Sequence, residues 1–235
     1  MKIVYEDHDV IVVEKPAGLI VHGGPGIKEK TLADELLILY PEIKDVGESP
    51  ERPGIVHRLD KETSGLMLIA KNQKSFDNLK KQFAERGIEK EYLALLYGKL
   101  RDEAGRITFK IGRSRKGGRM AARPESQEGR DAVTEYEVIK LFVNATLVKV
   151  KILTGRTHQV RAHFHAFGHP VVGDPLYKIK RMKIRHAPPR LFLHAAKIGF
   201  TDLGGNYREF ASPLPKELED YLGKLKFEAP SPKKS

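Results

Sequence analysis

The sequence predicts an α+β fold built on a largely antiparallel, mixed β-sheet with flanking helices and loops. Short apolar runs of strand length recur along the chain, and the later ones alternate with polar residues as half-exposed antiparallel strands do. Helical segments are interspersed without strict βαβ alternation. No shift in composition marks a boundary, so we expect one domain over residues 1–227, followed by a flexible tail at 228–235.

The first ninety residues show strand and helix patterns separated by turn residues. The expected elements are strands at 2–5 and 10–14, a helix ending at residue 39, a strand at 66–70 and an amphipathic helix at 73–86. Thr31 is the expected N-cap of the first helix and Pro41 stops it, while Gly87 closes the second helix.

The rest of the chain continues the mixture of strands and helices. The expected elements are strands at 91–97, 106–110, 132–138, 145–152, 191–193 and 197–200, a helix at 157–167 and a last helix carrying Leu214, Leu218 and Leu222. Thr157 can cap the helix at 157–167. In this helix we expect Val160, Phe164 and Phe167 to face the core. Arg161 lies on the opposite face of that helix, where it can point into a cleft or remain a surface residue.

The composition excludes several kinds of site and several classes of protein. The chain has no Cys, so disulfides, thiolate catalysis and cysteine-based metal sites are excluded. No apolar run approaches the roughly 20 residues that span a bilayer, and acidic residues interrupt the N-terminal segment, unlike a signal peptide. We expect a soluble cytoplasmic protein.

Positive charge is concentrated in two segments. Each contains six basic and no acidic residues: Lys110, Arg113, Arg115, Lys116, Arg119 and Arg123 at 110–123, and Lys178, Lys180, Arg181, Lys183, Arg185 and Arg190 at 178–190. Because the net charge is +11, the rest of the chain is nearly neutral. Both segments are expected to be loops, and their charge favours a nucleic acid partner over a membrane, since neither has an amphipathic apolar face.

No cofactor or metal motif is present. The chain lacks a P-loop and a G-x-G-x-x-G sequence that opens a helix, so a nucleotide cofactor is not expected. His165 and His169 are four residues apart, but Gly168 breaks the helix between them and no acidic ligand accompanies them. We therefore expect neither cofactor nor metal.

A polar loop at residues 57–65 leads directly into the buried strand at 66–70. Asp60 lies in this loop, at the mouth of a rigid element, where folds often place reactive groups. Arg58 can keep the carboxylate ionised, and the simplest interpretation of the two is an ion pair that braces the turn. Tyr92 is expected on a strand, where it either packs or stacks on an unpaired base.

Five blocks of sequence, in order, resemble the RluA-type pseudouridine synthases. They are Lys15-Pro16-Ala17-Gly18 with Val21-His22, His57-Arg58-Leu59-Asp60 with Thr63-Ser64-Gly65, Lys90-Glu91-Tyr92-Leu93-Ala94, Thr154 to Arg161 with Gly168-His169-Pro170 and Gly173-Asp174, and Leu193-His194-Ala195. The resemblance covers about residues 3–215 and implies the fold and activity of that family. Many members carry a small additional N-terminal RNA-binding domain, and here we expect the catalytic domain alone.

The resemblance implies that uridine in ribosomal or transfer RNA is isomerised to pseudouridine without a cofactor. It makes Asp60 the catalytic carboxylate, either as a nucleophile that attacks the sugar or the base or as a general base, with Arg161 as its ion-pair partner. It also implies that Tyr92 stacks on the uracil that leaves the RNA stack and that it can help to remove the proton at uracil C5. Arg58 is expected to orient the loop or contact RNA, and Leu193 to form an apolar wall. The RNA-contacting candidates are Lys110, Arg113, Arg115, Lys116, Arg119, Lys180, Arg181, Lys183 and Arg185.

Two alternatives remain open at this point. A non-catalytic RNA-binding or RNA-folding protein would use the same basic segments but has no need of Asp60, Tyr92 and Arg161 together. A hydrolase that uses Asp60 or Ser64 would cleave the strand or release a base, although no nucleophile elbow surrounds Ser64. The RNA modified, the number of sites and the oligomeric state are left open, with a monomer expected.

Overall fold

The computed structural model describes residues 1–24, 26, 28–114, 117, 119–179, 182, 184 and 186–227. Its strands are β1 (Lys2–Glu6), β2 (Val10–Lys15), β3 (Ser64–Ala70), β4 (Glu89–Tyr97), β5 (Ala104–Ile107), β6 (Lys110–Arg113), β7 (Met120–Arg123), β8 (Thr134–Phe142), β9 (Ala145–Ile152), β10 (Leu193–Thr201) and β11 (Tyr207–Ala211). Its helices are α1 (Leu32–Leu39), α2 (Gln73–Glu85), α3 (Gln159–Ala166) and α4 (Lys216–Gly223), with a 3₁₀ helix at Pro41–Asp45.

The chain folds into two compact units. The first consists of Met1–Tyr92, Lys151–Thr157 and Leu193–Pro213, and the second of Leu93–Val150, His158–Phe192 and Leu214–Ser235. The expected single domain over residues 1–227 stays a prediction, and the expected tail at 228–235 lies outside the described residues.

In the first unit, β1, β2, β3 and β10 are consecutive neighbours, and β11 pairs with β10. These pairings are antiparallel except for the parallel pair of β3 with β10. All seven residues of β3 are buried. Gly65 has a φ of +118°, and a Cβ there would collide with the backbone of Ala195. A glycine is therefore required where β3 and β10 approach most closely.

The second unit contains β4 from Leu93 onward, β9 up to Val150, and β8, with β9 between β4 and β8. In the same unit β5 pairs antiparallel with β8. One core cluster joins β4, β8 and β9 to α4: Leu95, Phe142, Ala145, Leu147, Val172, Phe192, Leu218 and Tyr221. A separate antiparallel hairpin, β6–β7, contributes Ile111 to a smaller cluster with Ala132, Ala162 and Tyr177. This second cluster fastens the hairpin to α3.

The predicted α+β class and the largely antiparallel sheet are confirmed. The prediction of a loop for the basic segment 110–123 was wrong, because that segment contains the hairpin β6–β7. Its four-residue strands are too short for a clear alternation, and they are stabilised by cross-strand pairing and by burial of Ile111. The strand expected at 106–110 is likewise split between β5 and β6.

Helix ends differ from the predictions for local reasons. The residue before α3 is His158, not Thr157, and its φ is +55° with no side-chain cap. His158 Nδ1 instead lies 3.1 Å from the hydroxyl oxygen of Tyr177, so a tertiary hydrogen bond replaces a local cap. Phe167 follows the end of α3 and is 40% exposed, not inward. At the end of α2 the left-handed residue is Arg86, one position before the expected Gly87.

Near the C-terminus the structure forms more strand than expected. The strands predicted at 191–193 and 197–200 are replaced by one strand, β10, and its partner β11 was not predicted. Across the described part of the chain, every helix is too short or too polar to cross a membrane.

Candidate active site

The loop that carries Asp60 is fastened to the loop after β2. The Thr63 backbone N–H donates to the Asp60 carbonyl at 3.1 Å, and Gly18 N–H donates to the Lys61 carbonyl at 2.8 Å. The buried ammonium of Lys15 donates to the carbonyls of Pro16 and Leu19 at 2.9 Å and of Lys61 at 3.1 Å. Because a buried ammonium must be hydrogen-bonded, Lys15 fixes the backbone on both sides of this contact.

His57 anchors the start of the same loop to β3. Its Nε2 accepts the Leu68 backbone N–H at 2.9 Å, and its ring lies 4.9 Å from the ring of Phe83. Burial lowers the pKa of His57 to about 3, with a smaller contribution from the positive charge of Lys90. His57 is therefore neutral and carries its proton on Nδ1.

Arg58 is exposed, and its Nη1 lies 3.2 Å from Nε2 of His22. Since His22 Nδ1 lies 2.7 Å from the Gly23 carbonyl, Nδ1 donates there and Nε2 accepts from Arg58. Burial, and next the Arg58 charge, lower the pKa of His22. This contact joins the Asp60 loop to the first block of sequence and leaves Arg58 at the surface.

Tyr92 lies buried on β4 and interacts electrostatically with Asp60. Burial raises the pKa of the Tyr92 phenol above its ordinary range, and the negative charge of Asp60 raises it further. Asp60 and Tyr92 belong to the same unit. The phenol is protonated at neutral pH.

Leu193 is the first residue of β10 and is buried. The next residue, His194, is the parallel partner of Ser64, and its Nδ1 lies 2.9 Å from the Ser64 hydroxyl oxygen. Both side chains are buried, so this hydrogen bond fastens the start of β10 to the start of β3. Leu193 is thereby held beside the end of the Asp60 loop.

Arg161 is buried on α3 of the second unit and binds Asp174. Its Nε donates to Asp174 Oδ2 at 2.7 Å, and its Nη2 donates to Oδ1 at 2.9 Å. Asp174 Oδ1 also accepts the backbone N–H groups of Leu176 and Tyr177. Burial alone would raise the pKa of Asp174, but Arg161 and these N–H groups hold it below its ordinary value. The expected pair of Arg161 with Asp60 joins residues of different units and stays a prediction.

Tyr177 links Arg161 to the basic hairpin. The Arg161 guanidinium lies 5.2 Å from the centre of the Tyr177 ring, and the Arg119 guanidinium lies 5.6 Å from it. The Tyr177 hydroxyl donates to the Met120 carbonyl at 2.8 Å and accepts the Met120 N–H at 3.1 Å. The first residue of β7 is therefore tied to the ring against which Arg161 packs.

Asp174 and Tyr177 were not among the residues proposed from the sequence. Asp174 is the last residue of the fourth motif block, and Tyr177 follows three residues later. An acidic residue in a Gly-containing turn gives no local signal of its partner, because the partner is set by tertiary packing.

The predicted RNA-contacting residues are only partly described. Lys110 and Arg113 lie on β6, and Arg119 lies immediately before β7. Six others lie outside the described residues: Arg115, Lys116, Lys180, Arg181, Lys183 and Arg185. Among the residues whose structure is described, no three potential metal-ligating His, Cys, Asp or Glu side chains come together.

Comparison with known proteins supports the same family as the sequence motifs. An "Uncharacterized RNA pseudouridine synthase" of Aquifex aeolicus is 48% identical over 189 residues, which are 78% of this chain and 58% of the relative's length. "Ribosomal large subunit pseudouridine synthase D" of Buchnera aphidicola is 37% identical over 236 residues, covering 96% of this chain and 73% of that protein.

The fold matches solved structures as well. The structure of "Human RNA Pseudouridylate Synthase Domain Containing 4" superposes with a TM-score of 0.75 at 27% identity, over 98% of this chain and 95% of that one. Residues 9–166 match the family described as RNA pseudouridylate synthase, a span that contains Asp60, Tyr92 and Arg161. The chain therefore belongs to the RNA pseudouridylate synthase family.

Proposed function

We propose that this protein isomerises uridine to pseudouridine within RNA and that Asp60 is its catalytic carboxylate. The observation that carries the proposal is the fastened loop that holds Asp60 beside the buried Tyr92, in a chain of this family. A rigid loop suits a reactive group because the loop is already ordered before the substrate binds, so the reaction does not bear the entropic cost of ordering that group.

Asp60 acts in this proposal as the nucleophile or as the general base of the reaction. The N1–C1′ glycosidic bond of the target uridine breaks, the uracil turns, and C5 of the uracil bonds to C1′ of the sugar. C5 then loses its proton and N1 gains one, so the product is an isomer of the substrate. Tyr92 offers a flat ring on which the displaced uracil stacks, and its neutral phenol does not add a second negative charge beside Asp60.

Arg161 is the proposed ion-pair partner of Asp60, which would keep the carboxylate ionised and fix its rotamer. Asp174 binds the Nε and Nη2 edge of the same guanidinium and fixes its orientation. Arg58 is proposed to contact the RNA. Leu193 is proposed to form an apolar surface against the target base.

The proposed RNA interface includes the basic hairpin β6–β7. Lys110, Arg113 and Arg119 supply positive charge to phosphates, and the six basic candidates outside the described residues are assigned the same role. Relatives named for the large ribosomal subunit make ribosomal RNA the favoured substrate class. A cytoplasmic location and a monomeric state belong to the same proposal.

The decisive experiment measures pseudouridine formation by the wild type and by Asp60→Asn. Ribosomal RNA labelled with tritium at uridine C5 releases tritium when a new carbon–carbon bond forms at that position. We expect release with the wild type and none with Asp60→Asn, at an unchanged melting temperature. Asp220→Asn, a surface change on α4, is the matched control and should remain fully active. An active Asp60→Asn protein would contradict the assignment of Asp60.

A further inference from the structure

The residues at the start of β4 alternate between two faces of the sheet. Glu89 and Glu91 point to one face, where Lys151 Nζ lies 3.7 Å from Glu89 and Lys197 Nζ lies 4.0 Å from Glu91. Lys90 and Tyr92 point to the other face. The carboxylates adjacent to Lys90 in the sequence are therefore directed away from it and already paired.

Lys90 is half-buried, and its ammonium has no anion beside it in the described part of the chain. Its Nζ lies 4.9 Å from the centre of the Phe83 ring, and no carboxylate or carbonyl within the described ranges of the chain binds it. The titratable neighbour on the adjacent loop, His57, is neutral. Burial lowers the pKa of Lys90 to about 8. A half-buried cation without a counter-charge is partly desolvated, and an anion that arrives from outside stabilises it.

An opening to the surface lies beside this ammonium. Gly155 is exposed, and a Cβ placed on it would meet only one atom within 4 Å, the Lys90 Nζ at 3.9 Å. The absence of a side chain at Gly155 leaves the backbone open to a close approach. An extended ligand can therefore reach the ammonium over Gly155.

We propose that Lys90, beneath the open backbone at Gly155, binds a phosphate of the RNA strand that carries the target uridine. The inference rests on the proposed function, since it supplies the identity of the anion. Two residues along a strand span about 6.6 Å, so the site lies close to Tyr92 on the same face. A compact ammonium on a flexible stem suits a single phosphate contact.

This site makes RNA affinity depend on pH. A phosphate stabilises the ammonium form, so above pH 8 binding requires the uptake of a proton by Lys90. Affinity should be constant below about pH 7 and fall as the pH rises above 8, approaching roughly tenfold per unit. Lys90→Arg should abolish this fall because arginine stays charged.

The experiment measures the dissociation constant of a ribosomal RNA fragment by fluorescence anisotropy, in the Asp60→Asn background so that no turnover occurs. We expect Lys90→Met to weaken binding about tenfold at pH 7, to lower the salt slope by about 1, and to flatten the pH profile. The melting temperature of Lys90→Met should be unchanged or higher, since a half-buried charge without a counter-charge is removed. Lys151→Met, whose lysine pairs with Glu89 on the other face, should keep the fall above pH 8.

A structural role for Lys90 predicts a different pattern. The inference is overturned if Lys90→Met retains wild-type affinity and salt slope, or if it weakens binding only together with a lowered melting temperature that Lys90→Arg does not restore. Tritium release by the wild type separates the two hypotheses. If the wild type releases tritium while Lys90→Met binds normally, only the phosphate site fails. If the wild type releases none while Lys90→Met still weakens binding, the proposed reaction fails and the RNA site stands.

Discussion

Arg161 and Asp174 form a two-point ion pair inside the second unit, with N–O distances of 2.7 and 2.9 Å. Both side chains are buried, and two backbone N–H groups complete the hydrogen bonding of the carboxylate. The planar guanidinium is thereby held in one orientation. Asp174 is a positioning residue in this arrangement, because it acts on the proposed active site through Arg161.

We expect Asp174→Asn to destabilise the protein and to slow pseudouridine formation. The amide keeps the shape of the carboxylate but removes the buried negative charge that Arg161 Nε and Nη2 bind, at a cost of about 3–5 kcal/mol in the free energy of unfolding. Urea denaturation measures this loss, and tritium release should show a fall in kcat larger than any change in KM. Unchanged stability and kcat would remove Asp174 from this role.

Tyr177→Phe should loosen the basic hairpin while keeping the ring that Arg161 and Arg119 pack against. The variant leaves the Met120 N–H and carbonyl without their hydroxyl partner, a loss of about 1–2 kcal/mol. Hydrogen exchange at the Met120 amide should accelerate, and KM for RNA should rise more than kcat falls.

Tyr207→Phe is the matched control for this substitution. Its hydroxyl is exposed and lies 3.2 Å from carboxylate oxygens of Glu89 and Glu209 in the first unit. The control should not change exchange at Met120. Equal exchange rates at Met120 in wild type and Tyr177→Phe would show that ring packing alone fastens the hairpin.

The fold class and family were predictable from the sequence because each depends on local patterns. Strand alternation indicated the antiparallel sheet, and ordered motif blocks indicated the family. The hairpin β6–β7 was missed because its residues are mostly basic and its stability comes from Tyr177 and α3, which lie far away in the sequence. The unpaired ammonium of Lys90 was hidden for the same reason: its neighbour Glu89 carries the opposite charge but points to the other face.

The pairing of Arg161 shows that sequence motifs do not determine the hydrogen-bond partners of the residues in a site. The motifs selected Arg161 as an active-site candidate, and the structure gives it a carboxylate partner in Asp174 that the sequence analysis did not propose. Asp60 and Tyr92 do lie together in the first unit. Motifs select residues, whereas burial and backbone geometry decide their hydrogen-bond partners.

His57 should make the protein sensitive to acid. Its pKa is about 3 in the folded state and near 6.5 in an unfolded chain, so between these values the unfolded state binds the additional proton. The stability contributed by neutral His57 is complete above pH 6.5 and is lost progressively as the pH falls toward 3. Nitrogen-15 NMR should show His57 as the neutral form protonated on Nδ1 at pH 5, with Nε2 accepting from Leu68. A titration midpoint near 6.5 would contradict this.

Tyr92→Phe should leave the shape of the kcat–pH profile unchanged. Burial and the charge of Asp60 keep the phenol protonated, so a phenolate base is not available in the working range. We therefore expect kcat of the phenylalanine variant to fall less than about tenfold, because the substitution removes at most one hydrogen bond. Tyr92→Ala is the contrasting change, because it removes stacking worth about 1–3 kcal/mol per base and should raise KM accordingly. A limb of the wild-type profile that rises with pH and disappears in Tyr92→Phe would instead assign proton abstraction to the phenolate.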